Sequence, residues 1–87
     1  MKKIRMSCGH IAYEATADET HLLGGYGICD DCSSFASKGY LVPVLNHYMC
    51  ENCYKDFSDR ASFYKEDVPI EQRTAKYYEE IIPLEVV

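Results

Sequence analysis

The sequence has no long hydrophobic run. Residues 1–10 contain no apolar stretch of the kind that an export signal requires. No segment approaches the roughly 20 apolar residues of a membrane-spanning helix. We therefore expect a cytoplasmic protein whose thiols stay reduced.

Basic residues are scarce. Nine Lys and Arg stand against fourteen Asp and Glu, which gives a formal net charge of −5. Four metal-bound thiolates and one divalent ion would bring this to about −7. Because binding to phosphate groups requires a basic face, this charge disfavours a nucleic-acid-binding protein.

Tryptophan is absent, but eight Tyr and three Phe are too many for a disordered chain. The 87 residues form one domain at most. A domain of this size buries only about 60% of the surface that its unfolded chain exposes, so its stability is marginal. We expect an additional stabilising element such as a bound metal.

Four of the five cysteines are spaced to bind such a metal. Two CxxC pairs, Cys29 with Cys32 and Cys50 with Cys53, are separated by seventeen residues, a spacing typical of zinc sites. Two such turns provide four thiolates for one tetrahedral ion and leave no position for water, so we expect one structural Zn²⁺ and no catalysis at these residues. Iron, a redox pair and buried small side chains are the alternatives.

Strands and turns are predicted for most of the first fifty residues. Alternation of apolar and polar residues predicts strands at 4–8 and 10–15 around a turn at Cys8–His10, with a polar loop over 16–20. Glycines between Gly24 and Gly27 indicate a turn or bulge; a phosphate-binding loop would need a different spacing. Residues 40–49 predict a β-hairpin that turns near Leu45–Asn46, with Pro43 at an edge position.

Two helices follow. The first begins at the second CxxC pair and has one apolar face, formed by Tyr54, Phe57, Ala61 and Tyr64. The second is expected from Val68 to Glu80, before Pro83, with a stripe of Ile70, Thr74, Tyr77 and Ile81. The apolar tail 84–87 could add an edge strand, dock on the core or fray.

The middle of the chain resembles treble-clef zinc fingers, in which a zinc knuckle precedes a β-hairpin and a helix supplies the last two ligands. The matching segments are 27–32, 39–49 and 50–57, and the likeness covers residues 27–65. The likeness implies a treble-clef core. Together with the hairpin and second helix predicted from the residue pattern, we expect one small α+β domain over 1–87, made of an N-terminal β-hairpin segment (1–26), this core and a C-terminal helix with its tail (66–87). Residues 39–46 and 50–53 also resemble small uncharacterised proteins of bacteria and phages, which implies a fold but no activity.

Cys8 and His10 are a second candidate site. With His21 or His47 they could bind another metal ion, or they could form a thiol nucleophile and its base. A turn with a buried thiol would explain the same two residues. Lys38, His47 and Lys55 are candidate hydrogen-bond donors to the four thiolates.

For function, the composition favours a non-enzymatic protein–protein interaction module from a bacterium or phage. Tyrosine is enriched in interfaces, and Tyr77 and Tyr78 beside Glu79 and Glu80 are the first candidates. One alternative is a nucleic-acid-binding or transcription-associated regulator with a basic N-terminal arm of Lys2, Lys3 and Arg5. Another is an acidic phage inhibitor that occupies the nucleic-acid channel of a host protein.

Overall fold

A computed structural model describes residues 1–85 and shows a small α+β protein. Four strands form one antiparallel sheet in the order β1-β2-β3-β4. These are β1 (Lys2–Arg5), β2 (Ile11–Thr16), β3 (Lys38–Val42) and β4 (His47–Met49). The α-helices are α1 (Ala17–His21), α2 (Glu51–Arg60) and α3 (Val68–Ile81), and a 3₁₀ turn over Lys65–Asp67 leads into α3.

The sheet separates two hydrophobic clusters, because successive side chains of a strand point to opposite faces. Leu41 lies on the α3 side, where it joins Tyr13, Tyr48, Ala75, Tyr78 and Ile82. The next residue, Val42, lies on the α2 side with Cys29 and Met49, and Tyr54 and Phe57 of α2 pack against them. Cys29 is buried in the α2-side cluster and Cys53 packs against it, whereas Cys50 contacts both clusters.

The N-terminal hairpin forms with bounds different from those predicted. β1 and β2 pair with Ile4 opposite Ala12, whereas the sequence predicted strands at 4–8 and 10–15. The Met6 N–H donates to the His10 carbonyl over 2.8 Å, so residues 6–10 form the turn. The predicted turn at Cys8–His10 is therefore confirmed, but it begins at Met6, because β1 ends at Arg5 instead of continuing to Cys8.

The polar loop predicted over 16–20 is wrong. Residues 17–21 form α1, and Thr16 and Glu19 form a capping box at its start. The Glu19 N–H donates to Thr16 Oγ1 over 3.2 Å, and the Thr16 N–H donates to Glu19 Oε1 over 2.9 Å. The Thr-x-x-Glu pattern was present in the sequence as the signal for this helix.

The second hairpin is confirmed, but the position of Pro43 is not. β3 and β4 are joined by residues 43–46, with Asn46 in the left-handed region at φ 55°. Pro43 belongs to this turn, and β3 pairs with both β2 and β4, so it is not an edge strand. Because the missing N–H of proline lies in the turn, it removes no hydrogen bond from the ladder.

α2 is shorter than its predicted apolar face. It ends at Arg60, and Ala61 is extended at φ −70° and ψ 140°. Tyr64 lies beyond the helix and is exposed. The helical spacing therefore holds for Tyr54 and Phe57 and fails for Ala61 and Tyr64.

α3 has the predicted position but buries a different face. The sequence predicted a stripe through Ile70 and Tyr77, which are 52% and 48% exposed. The buried residues are instead Glu71, Ala75 and Tyr78, each one position later. A shift of one position along an α-helix rotates the buried face by about 100° about the helix axis. With this rotation Glu71 becomes buried, and a pattern of hydrophobic residues cannot predict the burial of an ionisable side chain.

The start of the chain and the segment after Pro83 meet beside β1. The Met1 ammonium lies 2.9 Å from the Pro83 carbonyl and 2.5 Å from Glu19 Oε2, and the Glu85 N–H donates to the Met1 carbonyl over 2.8 Å. Leu84 packs against the α3-side cluster. The prediction for the tail extends to Val86 and Val87, which lie outside the described residues.

Candidate metal centre

The sulfur atoms of Cys29, Cys32, Cys50 and Cys53 all lie within 4.8 Å of one another. Cys32 Sγ and Cys50 Sγ are 3.8 Å apart. Four sulfurs at about 2.3 Å from a tetrahedral Zn²⁺ would be separated by about 3.8 Å, whereas a disulfide would bring two of them to about 2 Å. The four cysteines are free thiols placed to bind one metal ion, and their spacing is consistent with zinc.

A knuckle over residues 27–36 supplies the first two ligands. The Cys29 N–H donates to the Ser34 carbonyl, and the Ser33 N–H donates to the Cys29 carbonyl, each over 2.8 Å. Ser33 closes this turn at φ 64°, and Ile28 pairs with Phe35 across it. The backbone folds back on itself within six residues, which brings Cys29 and Cys32 to the same side.

The start of α2 supplies the other two ligands. Cys50 is the N-cap residue and Cys53 lies in the first turn. No side chain caps this helix end, so the positive end of its dipole faces the sulfur atoms. A helix N-terminus lowers the free energy of a thiolate relative to a thiol, and the thiolate is the form that binds metal.

Asp30 holds the knuckle against the sheet. Its N–H donates to the Tyr48 carbonyl, and its Oδ2 accepts the Tyr48 N–H, both over 2.8 Å. These two bonds satisfy the outer edge of β4 at its middle residue. They also fix the distance between the two CxxC pairs, since β4 leads directly into Cys50. Sequence reasoning did not assign this role to Asp30, because its partner is eighteen residues away.

The thiols differ in acidity before metal binds. Hydrogen bonds from the backbone and hydroxyl of Ser34, and from the Cys29 thiol, lower the pKa of Cys32 to about 6. Hydrogen bonds with the Cys50 and Cys29 thiols raise the pKa of Cys53. Cys32 is also exposed whereas Cys29 is buried. Cys32 is therefore the accessible thiol whose thiolate form is favoured, and binding of a metal ion requires the other thiols to lose their protons as well.

The three residues predicted to donate hydrogen bonds to the thiolates lie elsewhere in the structure. His47 Nδ1 lies 3.4 Å from Asp31 Oδ1, so this imidazole faces a carboxylate of the knuckle. Lys38 lies at the start of β3 and is exposed, as is Lys55 on α2. None of the three donates to a cysteine sulfur among the hydrogen bonds of residues 1–85.

Cys8 and His10 do not join a metal-ligand cluster within the described part of the chain. His10 is buried, with Nδ1 2.5 Å from Glu71 Oε2 and Nε2 3.1 Å from the Ser62 carbonyl. The Ser62 carbonyl can only accept, so Nε2 donates to it, and Nδ1 forms a second hydrogen bond with the Glu71 carboxyl group. The pair joins the start of β2 to α3, and Glu71 is the partner that sequence reasoning missed.

The basic residues near the N-terminus lie in β1. Lys3 Nζ is 3.2 Å from Glu79 Oε2, and Arg5 Nη1 donates to the Gly9 carbonyl over 2.9 Å. Lys2 lines a surface cavity together with Glu14 and Glu51. Of the interface candidates, Tyr77 is 48% exposed, whereas Tyr78 is 1% exposed and belongs to the core.

In residues 1–85, no helix combines the length and hydrophobicity that crossing a bilayer requires. The metal-ligand cluster lies on a knuckle and a helix start that are joined by β3 and β4. No protein-family model, curated protein or solved structure matches the chain that carries it.

Proposed function

We propose that this protein is a non-enzymatic, zinc-stabilised module that binds another protein in the reducing cytoplasm of a bacterium or a phage-infected cell. The observation that carries the proposal is the set of four cysteine sulfurs within 4.8 Å. Four thiolates complete a tetrahedral sphere around Zn²⁺ and leave no exchangeable position for a substrate. The ion then contributes to folding and not to chemistry.

The order of the elements supports a treble-clef arrangement. A knuckle with two cysteines precedes the hairpin of β3 and β4, and α2 begins with the other two cysteines. This order is that of the treble-clef zinc fingers which residues 27–65 resemble. Zinc is preferred to iron because the thiolate set suits both ions but Zn²⁺ needs no redox partner.

Exposed apolar side chains support protein binding. Large hydrophobic residues remain at the surface of the described chain, notably Tyr26, Phe35 and Tyr77. Tyr26 directly precedes the knuckle, Phe35 lies within it, and Tyr77 lies on α3. Aromatic residues are enriched in the buried centres of protein interfaces. Nucleic acid is a weaker candidate, since Lys3 and Arg5 already have partners within the protein.

Site-specific photo-crosslinking tests the proposal. A photoreactive phenylalanine analogue would replace Tyr26, Phe35 or Tyr77 in the zinc-loaded protein expressed in bacteria, with Asp56 on α2 as the control position. We expect one discrete crosslinked protein from at least one of the three positions. Absence of any crosslink specific to these positions, with the zinc site filled, would contradict a protein-binding role.

A further inference from the structure

A cleft of about 260 Å³ lies where four segments meet on the side of the sheet that faces α3. The turn after α1 contributes Gly24 and Gly25, and the knuckle contributes Asp30. The turn between β3 and β4 contributes Asn46, and α3 contributes Tyr77. We call this the Asp30–Tyr77 cleft. Its size suits a single side chain better than a cofactor, since ligand pockets usually exceed 300 Å³.

The charge in this cleft is of one sign. Two other cavities of the described chain contain basic residues, Lys2 and Lys38 in one and Arg60 in the other. The Asp30–Tyr77 cleft is lined by neutral residues and one carboxylate. Asp30 is exposed, and its Oδ2 accepts the Tyr48 N–H, while Oδ1 has no hydrogen bond within residues 1–85. One carboxylate oxygen is therefore available to a donor that enters the cleft.

Aromatic rings form the walls. The Tyr78 hydroxyl donates to Asn46 Oδ1 over 2.7 Å, and the Tyr48 hydroxyl donates to the Ala36 carbonyl over 2.7 Å. These bonds hold the two rings in place with their hydroxyls already engaged. Tyr77 stands next to Tyr78 with ring centroids 6.2 Å apart, and about half of its surface is free. A cation over the face of such a ring is attracted by the quadrupole of the ring.

We propose that the Asp30–Tyr77 cleft binds the guanidinium group of an arginine side chain presented by a partner protein. A planar guanidinium can stack on the Tyr77 ring while its N–H groups reach Asp30 Oδ1 and the second lone pair of Asn46 Oδ1. An ammonium group has the charge but lacks the flat face and the forked donors. The protein's excess of acidic residues favours a basic partner. The proposal rests on the proposed protein-binding function and names the chemistry of the partner.

The test is an NMR titration of the zinc-loaded protein with the capped peptide Gly-Arg-Gly. We expect saturable shifts of the backbone amides of Gly24, Gly25, Asp30 and Tyr77, with a dissociation constant in the millimolar range, about −4 kcal/mol. The same peptide with citrulline has the shape without the charge and should bind at least about fivefold more weakly. Equal shifts with citrulline, shifts elsewhere, or no saturable shift would overturn the proposal.

Two matched pairs of variants locate the contacts. Asp30→Asn keeps an oxygen for the Tyr48 N–H and removes the charge, so it should weaken peptide binding about fivefold; Asp56→Asn, an equal change of charge on α2, should not. Tyr77→Ala should weaken binding about threefold, whereas Tyr64→Ala, which removes another exposed tyrosine, should leave it unchanged. Metal content measured for each variant shows that the four-cysteine site is intact. Similar losses in the control variants would rule out this cleft.

Failure of this inference can be told apart from failure of the proposed function. Crosslinks from Tyr26 or Phe35 without peptide binding in the cleft would leave the protein-binding function in place and move the contact to the knuckle. Peptide binding in the cleft without any crosslinked protein would support the chemistry of the cleft and contradict the wider function.

Discussion

Gly27 shows how closely single residues are constrained next to the metal ligands. Its φ is 71°, and a Cβ built on it would lie 2.5 Å from Ala17 Cβ. The knuckle thus rests directly on the first residue of α1. A side chain here would have to push these two segments apart or change the backbone of the knuckle.

We expect Gly27→Ala to destabilise the zinc-loaded protein by about 2–4 kcal/mol, from the left-handed backbone and from the clash with Ala17. Gly24→Ala is the matched control, because φ is 83° there but nothing lies within 4 Å of the added Cβ. It should cost only about 1 kcal/mol. Denaturant unfolding measures both, and equal losses would show that the approach to Ala17 is unimportant.

The buried pair of His10 and Glu71 supports a second expectation at this scale. Glu71→Ala leaves His10 Nδ1 buried without a partner, which should cost about 1–3 kcal/mol. Glu71→Gln can still donate to a neutral imidazole and should cost less. Urea unfolding distinguishes the two variants. A Glu71→Gln variant as unstable as Glu71→Ala would mean that the charge of the pair is what matters.

Among the elements, the docking of α3 on the sheet brings two tyrosines into the core. Tyr13 of β2 and Tyr78 of α3 meet edge to face, with centroids 6.0 Å apart. The Tyr13 hydroxyl donates to Glu79. Burial raises the pKa of both tyrosines, and Glu79 adds to the effect at Tyr13. The folded state thus favours the neutral phenols.

A group whose pKa is raised on folding stabilises the protein fully below its unfolded pKa, and that stability is lost as the pH rises. For tyrosine the loss begins at about pH 10. We expect the unfolding midpoint to fall above this pH, and to fall less in Tyr78→Phe than in the unaltered protein. Tyr64→Phe, at an exposed position, should leave the pH dependence unchanged. An equal dependence in all three proteins would contradict the role of buried phenols.

The predicted and observed elements agree where the signal in the sequence is local, and most of the differences arise from contacts between distant residues. The CxxC spacing predicted all four clustered cysteines, the change of period after Cys50 predicted the start of α2, and Leu45–Asn46 predicted a turn, because these signals are local. The face of α3 was missed because Glu71 is buried through His10, sixty-one residues earlier in the chain. The role of Asp30 was missed for the same reason, since its partner Tyr48 lies eighteen residues later, in β4. α1 was missed although its capping box is local, because the mostly polar stretch 16–20 was interpreted as a loop.

At the scale of the whole molecule, the metal should determine whether the α2 side folds. Two of its three fully buried residues, Val42 and Met49, pack around Cys29, and α2 buries no residue completely. A cluster of this size is too small to keep the α2 side folded without a bound metal. We expect one zinc per chain, and loss of the α2 helical signal in circular dichroism after chelation.

Single cysteine variants refine this expectation. Cys50→Ser should abolish stoichiometric zinc binding, whereas Cys8→Ser should retain it, because Cys8 lies outside the cluster. Acidification should release the ion as protons compete for the thiolates. Metal analysis after gel filtration measures both. A protein that keeps its structure without metal at neutral pH would contradict the structural role of zinc.

The division of the sheet into two faces has a consequence for cooperativity. Leu41 and Val42 are neighbours in one strand, yet one packs in the cluster of α3 and the other in the cluster around the cysteines. Metal loss would leave β3 supported from one side only, so amide hydrogen exchange should accelerate first near Val42 and Met49 and later near Tyr13 and Tyr78. The chain would then unfold in two steps whose separation is set by the free zinc concentration.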